Sequence, residues 1–164
     1  MKNQLSKHVL IIATMIWAFI FCCSSCNRKD EMSLTIIQGI YGTAIERYGN
    51  WMPIEDPDPT TRGERPIVTE VYVYECTKRS DFDEVPKGTH FPIDGMPKPL
   101  VAKTRSEKNG FYQVTLKEGK YSVFILDEDK LYANGFDEEG NICPVTITKD
   151  SIVKLDLVLD HAVY

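Results

Sequence analysis

The chain has 164 residues, with 24 acidic against 19 basic side chains, a formal net charge of −5 and 43% apolar residues. Such acidity argues against nucleic acid as a partner, because phosphate binding needs a basic surface. The length suits a single domain that buries its own core rather than one that depends on disulfide staples.

The first feature along the chain is a basic start, Lys2 and Lys7, followed by a stretch without charge from Val9 to Cys23. A basic start, an apolar run and small residues after it form the pattern of a secretory signal, and the run is shorter than the ~20 residues that cross a ~30 Å hydrocarbon core. Cys23-Ser24-Ser25-Cys26 resembles a bacterial lipobox, in which cleavage precedes a cysteine whose thiol carries a diacylglycerol; an ordinary secretory cleavage is the alternative. The resemblance implies a lipoprotein signal peptide over residues 1–25 and a lipidated, palmitate-bearing Cys26 as the membrane anchor. Such an end carries several acyl chains, and each buried methylene contributes ~0.8 kcal/mol, so the anchor holds.

Residues 26–33 then read as a charged tether. Lys29, Asp30 and Glu31 are similar to the lysine-plus-two-acids tract of surface-exported lipoproteins in some Gram-negative bacteria; the alternative is a solvated linker of mixed charge. The expected location is the outer membrane, lipid-anchored and facing the cell surface, with the periplasmic face as the alternative. Removing residues 1–25 discards two lysines and no acid, which leaves 17 basic against 24 acidic residues and a net charge of −7.

From residue 34 to 164, short alternating runs separated by turn residues predict one all-β domain, an antiparallel seven-stranded β-sandwich. The strands are expected near residues 34–47, 67–76, 99–105, 110–116, 120–127, 142–148 and 152–160. In the second, Ile67, Thr69, Val71 and Val73 point inward and Tyr72, Tyr74 and Cys76 outward, since successive side chains alternate. Lys108-Asn109-Gly110 supplies the positive φ angles of a tight turn. After it, Tyr112, Val114 and Leu116, then Tyr121, Val123 and Ile125, form the inward face of a hairpin closed at Glu118-Gly119. Cys143, Val145 and Ile147 share an inward face, as do Val153, Leu155, Leu157 and Leu159. With Cys143 inward and Cys76 outward, two separate thiols are expected rather than a disulfide.

The run GIYGTAIE, then VYVYECT, SEKNGFYQVTLKEGKYSVFI and VKLDLVL resembles carboxypeptidase regulatory-like domains, and more narrowly small bacterial lipoproteins that carry one such domain. The resemblance covers roughly residues 33–160 and implies a transthyretin-like (prealbumin-like) sandwich used as an accessory, a spacer or a binding module, not usually as an enzyme. Long insertions after Asn50 and after Thr77 depart from the compact form of the domain.

No residue set points to catalysis, a metal or a cofactor. The serine hydrolase signature G-x-S-x-G is absent. His90 and His161 lie in no metal-ligand spacing, and His161 reads as a solvated or hydrogen-bonded strand-end residue. The enzyme on a related fold, hydroxyisourate hydrolase, ends in Tyr-Arg-Gly-Ser, whereas this chain ends in His-Ala-Val-Tyr.

If each of seven strands reverses direction, loops 48–66, 106–109 and 128–141 meet at one end, distal to the anchor, and loops 77–98, 117–119 and 149–151 meet at the other. The distal end would then gather Trp51, Tyr132 and Phe136 with Glu55, Asp56, Asp58, Glu128, Asp129, Asp137, Glu138 and Glu139. Such a set suits a glycan, a cationic peptide or a cation. Each feature also has a plainer reading: Trp51 as a cap on the core, and Asp137-Glu138-Glu139 as a solvated turn that lacks the EF-hand pattern. Tyr72 and Tyr74 are either covered by the proline-containing loop or form a contact face. Two functions follow: a non-enzymatic binding or accessory module working through its distal loops, or a structural envelope lipoprotein that assembles with a protein partner through the face bearing Tyr72 and Tyr74.

Overall fold

A strand with apolar residues at every second position can bury only one face, so such strands must pair into sheets that cover one another. The computed structural model describes residues 33–53 and 59–164. Cys26, Lys29, Asp30, Glu31, Glu55, Asp56 and Asp58 lie outside the described residues. The described chain forms a two-sheet β-sandwich of eleven strands, with two short 3-10 turns and no α-helix.

The first sheet is built around β1 (Gly39–Asn50). Along one side of β1 run β6 (Phe111–Thr115) and then β2 (Gly63–Pro66), both antiparallel to it. Along the other run β10 (Ile152–Lys154) and β11 (Leu157–Val163), both parallel to it. The second sheet is ordered β5 (Leu100–Arg105), β3 (Glu70–Glu75), β7 (Gly119–Asp127). On the far side of β7, β9 (Pro144–Ile147) pairs with its first half and β8 (Lys130–Tyr132) with its second, while β4 (His90–Phe91) pairs with β8.

All seven expected strands are present, the last of them split into β10 and β11, and the wholly antiparallel arrangement is corrected to a mixed one. An odd number of reversing strands sends the first and the last in the same direction. Placed side by side, they must pair parallel, as Ala44 with Leu157 through Asn50 with Val163 do. The expected hairpin closed at Glu118-Gly119 is corrected too: β6 pairs with β1 and β7 with β3, β8 and β9, so the turn between them crosses from one sheet to the other and their shared inward residues face each other across the core. The short strands β2, β4 and β8 were not expected, since two to four residues are too few for alternation to register.

Two cores result. Between the sheets lie Ile40, Val71, Val73, Tyr112, Leu116, Tyr121, Val123, Ile125, Val145, Ile147, Leu157 and Leu159, with Ile67, Val114, Val153 and Leu155 packed against them. The expected inward faces of β3, β6, β7, β9 and β11 are therefore in place. Cys143 departs from its expected face: its backbone turns to a φ of 38°, and its side chain packs on the second core. That second core lies on the outer face of the second sheet, where Tyr72, Tyr74, Phe124 and Leu131 are covered by Phe82 and Phe91 from residues 76–99. Aromatic edge contacts of Phe124 with Tyr74 and Phe91, at centroid distances of 5.7 and 5.5 Å, knit it together.

The break between β10 and β11 has a steric cause. Leu155 donates its N–H to the Tyr41 carbonyl, Tyr112 Oη donates to the Leu155 carbonyl, and Asp156 Oδ1 accepts from both the amide and the hydroxyl of Thr43. These bonds draw the backbone so close to Gly42 that a Cβ there would stand 1.9 Å from the Leu155 oxygen. Gly42→Ala is expected to force β1 and the break apart at a cost on the order of 3 kcal/mol, the upper part of the overpacking range. Denaturant unfolding checks this; stability within ~0.5 kcal/mol of the parent would show that the break yields freely.

Candidate functional site

Chain direction sorts the loops. β1, β5, β7 and β11 run toward one end of the sandwich, called the far end, and β2, β3, β6, β8 and β9 run back. The end of β1 at Asn50 and the start of β2 at Gly63, the turn 106–110 and the turn 128–129 lie at the far end. The acidic turn does not. β8 carries the chain back along β7, the bridge between Lys78 and Asn141 ties the next segment to residues 76–99, and Asp137 reaches Lys120 at the start of β7. The expected cluster of Trp51, Tyr132, Phe136, Asp137, Glu138 and Glu139 is therefore not assembled.

Each member has its own surroundings. Trp51 donates Nε1–H to the Tyr48 carbonyl, and the guanidiniums of Arg47 and Arg62 lie 5.5 and 5.3 Å from its ring centroid, so it caps the end of β1. Tyr132 is buried and its hydroxyl accepts the Asp160 N–H. Phe136 is half-exposed under the Arg79 guanidinium, 4.7 Å away. Asp137 accepts from Lys120 Nζ at 3.0 Å, from Asn141 Nδ2 at 2.7 Å and from the amides of Glu139 and Asn141. The Asn141 side chain, then Lys120, hold its carboxyl far below the usual range against the opposing effect of burial. Glu139 also meets Lys120, and Glu138 is exposed. The turn is closed by its own donors rather than open to a cation. Tyr72 and Tyr74, at 7% and 5% exposure, lie beneath residues 76–99 and offer no contact face.

The far end holds a group of titratable residues that spacing did not reveal. His161 on β11 stands between two carboxylates: Nδ1 lies 3.0 Å from Glu46 Oε1 on β1, and Nε2 lies 3.0 Å from Asp127 Oδ2 on β7. His90 Nε2 reaches the same Asp127 oxygen at 2.8 Å, and Arg65 on β2 holds the other oxygen of Glu46 at 2.7 Å. Among the described residues no group of three His, Cys, Asp or Glu side chains is placed to hold a metal ion, and the contacts here are a chain of pairs.

Ionised carboxylates only accept hydrogen bonds, so His161 satisfies both neighbours only as the doubly protonated imidazolium. Hydrogen bonds to Asp127 and Glu46 accordingly raise its pKa above 6.5 against the effect of burial. Burial pushes Asp127 up, but the bonds from His90 and His161 outweigh it and hold this carboxyl low; Glu46 is lowered in the same way by His161 and Arg65. The histidine's contribution to stability is complete below its unfolded value and is lost as pH rises through the folded one. The carboxylates contribute above their unfolded values and lose that contribution as pH falls through the folded ones.

Beside this chain, a groove of about 350 Å³ opens into the sandwich. It lies where both flanks are interrupted: the excursion 133–143 between β8 and β9 on one sheet, and the break at Leu155 and Asp156 on the other. Val123, Ile125, Tyr132, Leu155 and Leu157 form its apolar wall. Asn134, Asp156 and the Cys143 thiol bring polar atoms to it. Burial raises the Cys143 thiol, the direction opposite to that of an activated nucleophile, and its sulfur accepts the Gly135 N–H at 3.3 Å. Cys143 and Cys76 are both free thiols. Comparison of the chain with protein-family models, curated proteins and solved structures finds no match in any of the three.

Proposed function

We propose that this chain is an envelope lipoprotein anchored through Cys26, whose sandwich is a non-enzymatic binding module for a small apolar ligand. The observation that carries the reading is the groove: its volume lies in the range of small-molecule sites, its wall is aliphatic and aromatic, and its few polar groups converge from two strand interruptions. Its charged neighbours are already paired within the protein, Asp156 with Lys154 and Asp137 with Lys120. The apolar part of a ligand would therefore supply the affinity, and Asn134 and the thiol would orient it. The tight turn before β6, the crossing from β6 in the first sheet to β7 in the second and the closing strand support placing the domain among the transthyretin-like, carboxypeptidase regulatory-like sandwiches. Lys29, Asp30 and Glu31 support export to the cell surface.

Two measurements test this. Mass spectrometry of the mature amino terminus should find an acylated Cys26, and an unmodified terminus would remove the anchor. For the groove, N-phenyl-1-naphthylamine is titrated into the unlipidated mature chain carrying Cys26→Ser. Asn134→Trp, at an exposed lining position, should weaken the fluorescence response about tenfold without lowering the melting temperature. A response that this variant leaves unchanged would locate the probe elsewhere and end the groove reading.

A further inference from the structure

The sheets of a sandwich share no backbone hydrogen bonds, so side chains alone close the seam between them. At the far end that seam is crossed by an ion pair: His161 of the first sheet reaches Asp127 of the second while its other nitrogen stays on Glu46 of its own sheet. We propose that the His161 imidazolium is a proton-operated clasp that sets the width of the groove beside it. The proposal deepens the functional reading above and rests on the groove being the binding site.

The connection from clasp to groove is short. Asp127 follows groove-lining Ile125 by two residues on β7, and His161 follows groove-lining Val158 by three on β11. Between them stands Tyr132, which walls the groove, meets the His90 ring edge-on at 5.1 Å and accepts the Asp160 N–H. The far end of this wall is thus made of the clasp and its contacts.

The charges around His161 settle the direction of the switch. It faces Asp127 from β7 and Glu46 from β1, and one contact further stand His90 of β4 and Arg65 of β2. Lys130 of β8 stands opposite Asp127 in the hairpin register, and Arg47 pairs with Glu64, Asp160 and Tyr164 beside them. With the proton on, His161 bridges two anions. With the proton off, its remaining N–H serves one carboxylate, and a nitrogen lone pair is left facing the other. Held by Arg65, Glu46 stays with its own sheet, while Asp127 keeps His90 as partner. The bond that breaks is therefore the one across the seam, and the groove widens as pH rises.

Cys143 reports the opening directly because it lines the groove. The test follows alkylation of Cys143 and Cys76 by iodoacetamide in the full chain, solubilised in detergent, with peptide mapping that resolves each thiol. The parent is compared at each pH with His161→Arg, which keeps a cation between the two carboxylates at every pH and cancels the thiol's own titration. At pH 5.5 the two should react at Cys143 within twofold of each other; at pH 8.5 the parent should react about fivefold faster, with Cys76 unchanged. His161→Gln, which does not titrate, serves as a second reference, and the ratio of parent to Gln variant should change with pH in the same direction. A ratio near one at pH 8.5 against both references overturns the clasp, and so does equal acceleration of Cys76, which would mean general loosening. Failure of the naphthylamine titration alone removes the ligand reading, because alkylation reads the groove without any ligand.

Discussion

Val123→Asp is expected to leave the domain without a cooperative unfolding transition. Val123 is fully buried, at 0% exposure, midway along β7, flanked by β3 on one side and by β8 and β9 on the other. Its side chain lies between the sheets among Val71, Val73, Ile125 and Val145. A carboxylate there would have no cation to pair with, and an unpaired buried charge costs as much as the 5–15 kcal/mol that usually holds a domain of this size together. Thermal melting followed by circular dichroism is the check. A sharp transition near that of the parent would mean that this face of β7 is not the interior.

Phe124→Ala, one residue along, probes the opposite face and should cost ~3–5 kcal/mol, the usual loss for a buried phenylalanine. Its ring is also at 0% exposure, but against Tyr74 and Phe91 in the outer core. The melting temperature should fall by roughly 10–20 °C for a domain of this length. Because Phe91 and Phe82 belong to the segment that covers this core, trypsin should cleave at Lys78, Arg79 or Lys87 in the variant before the rest unfolds. A loss below ~1 kcal/mol with no new cleavage would show that residues 76–99 are held by something other than this core. Together the substitutions separate the two cores, since adjacent residues of one strand face opposite ways.

The difference between those cores marks what could be read in the sequence. Alternation in FYQVTL and VKLDLVL identified the inner core because each of those strands has one apolar face. In VYVYE and YSVFILD both faces are apolar, and a pattern without contrast does not say whether the second face is covered or exposed. Tyr72 and Tyr74 were therefore open to either reading until the segment bearing Phe82 and Phe91 was seen over them. The misplaced acidic turn has a related cause. Three residues of β8, Lys130–Tyr132, turn the chain back toward the opposite end, and a strand that short leaves no periodic trace.

By itself the sequence determined the all-β class, the seven main strands and their inward faces, because these follow from side-chain alternation and turn chemistry within a few residues. Only the tertiary structure decided which strands pair parallel, what covers the outer face, where the groove opens and which charges meet. His161 lies 115 residues from Glu46 and 34 from Asp127, and no spacing rule links them. They meet because the first and last strands run side by side and the second sheet stacks its β7 terminus against theirs. The physical reason is one of range. Propensity and periodicity act along the chain, whereas an ion pair depends on the register of strands far apart in sequence, which packing of the whole sandwich sets.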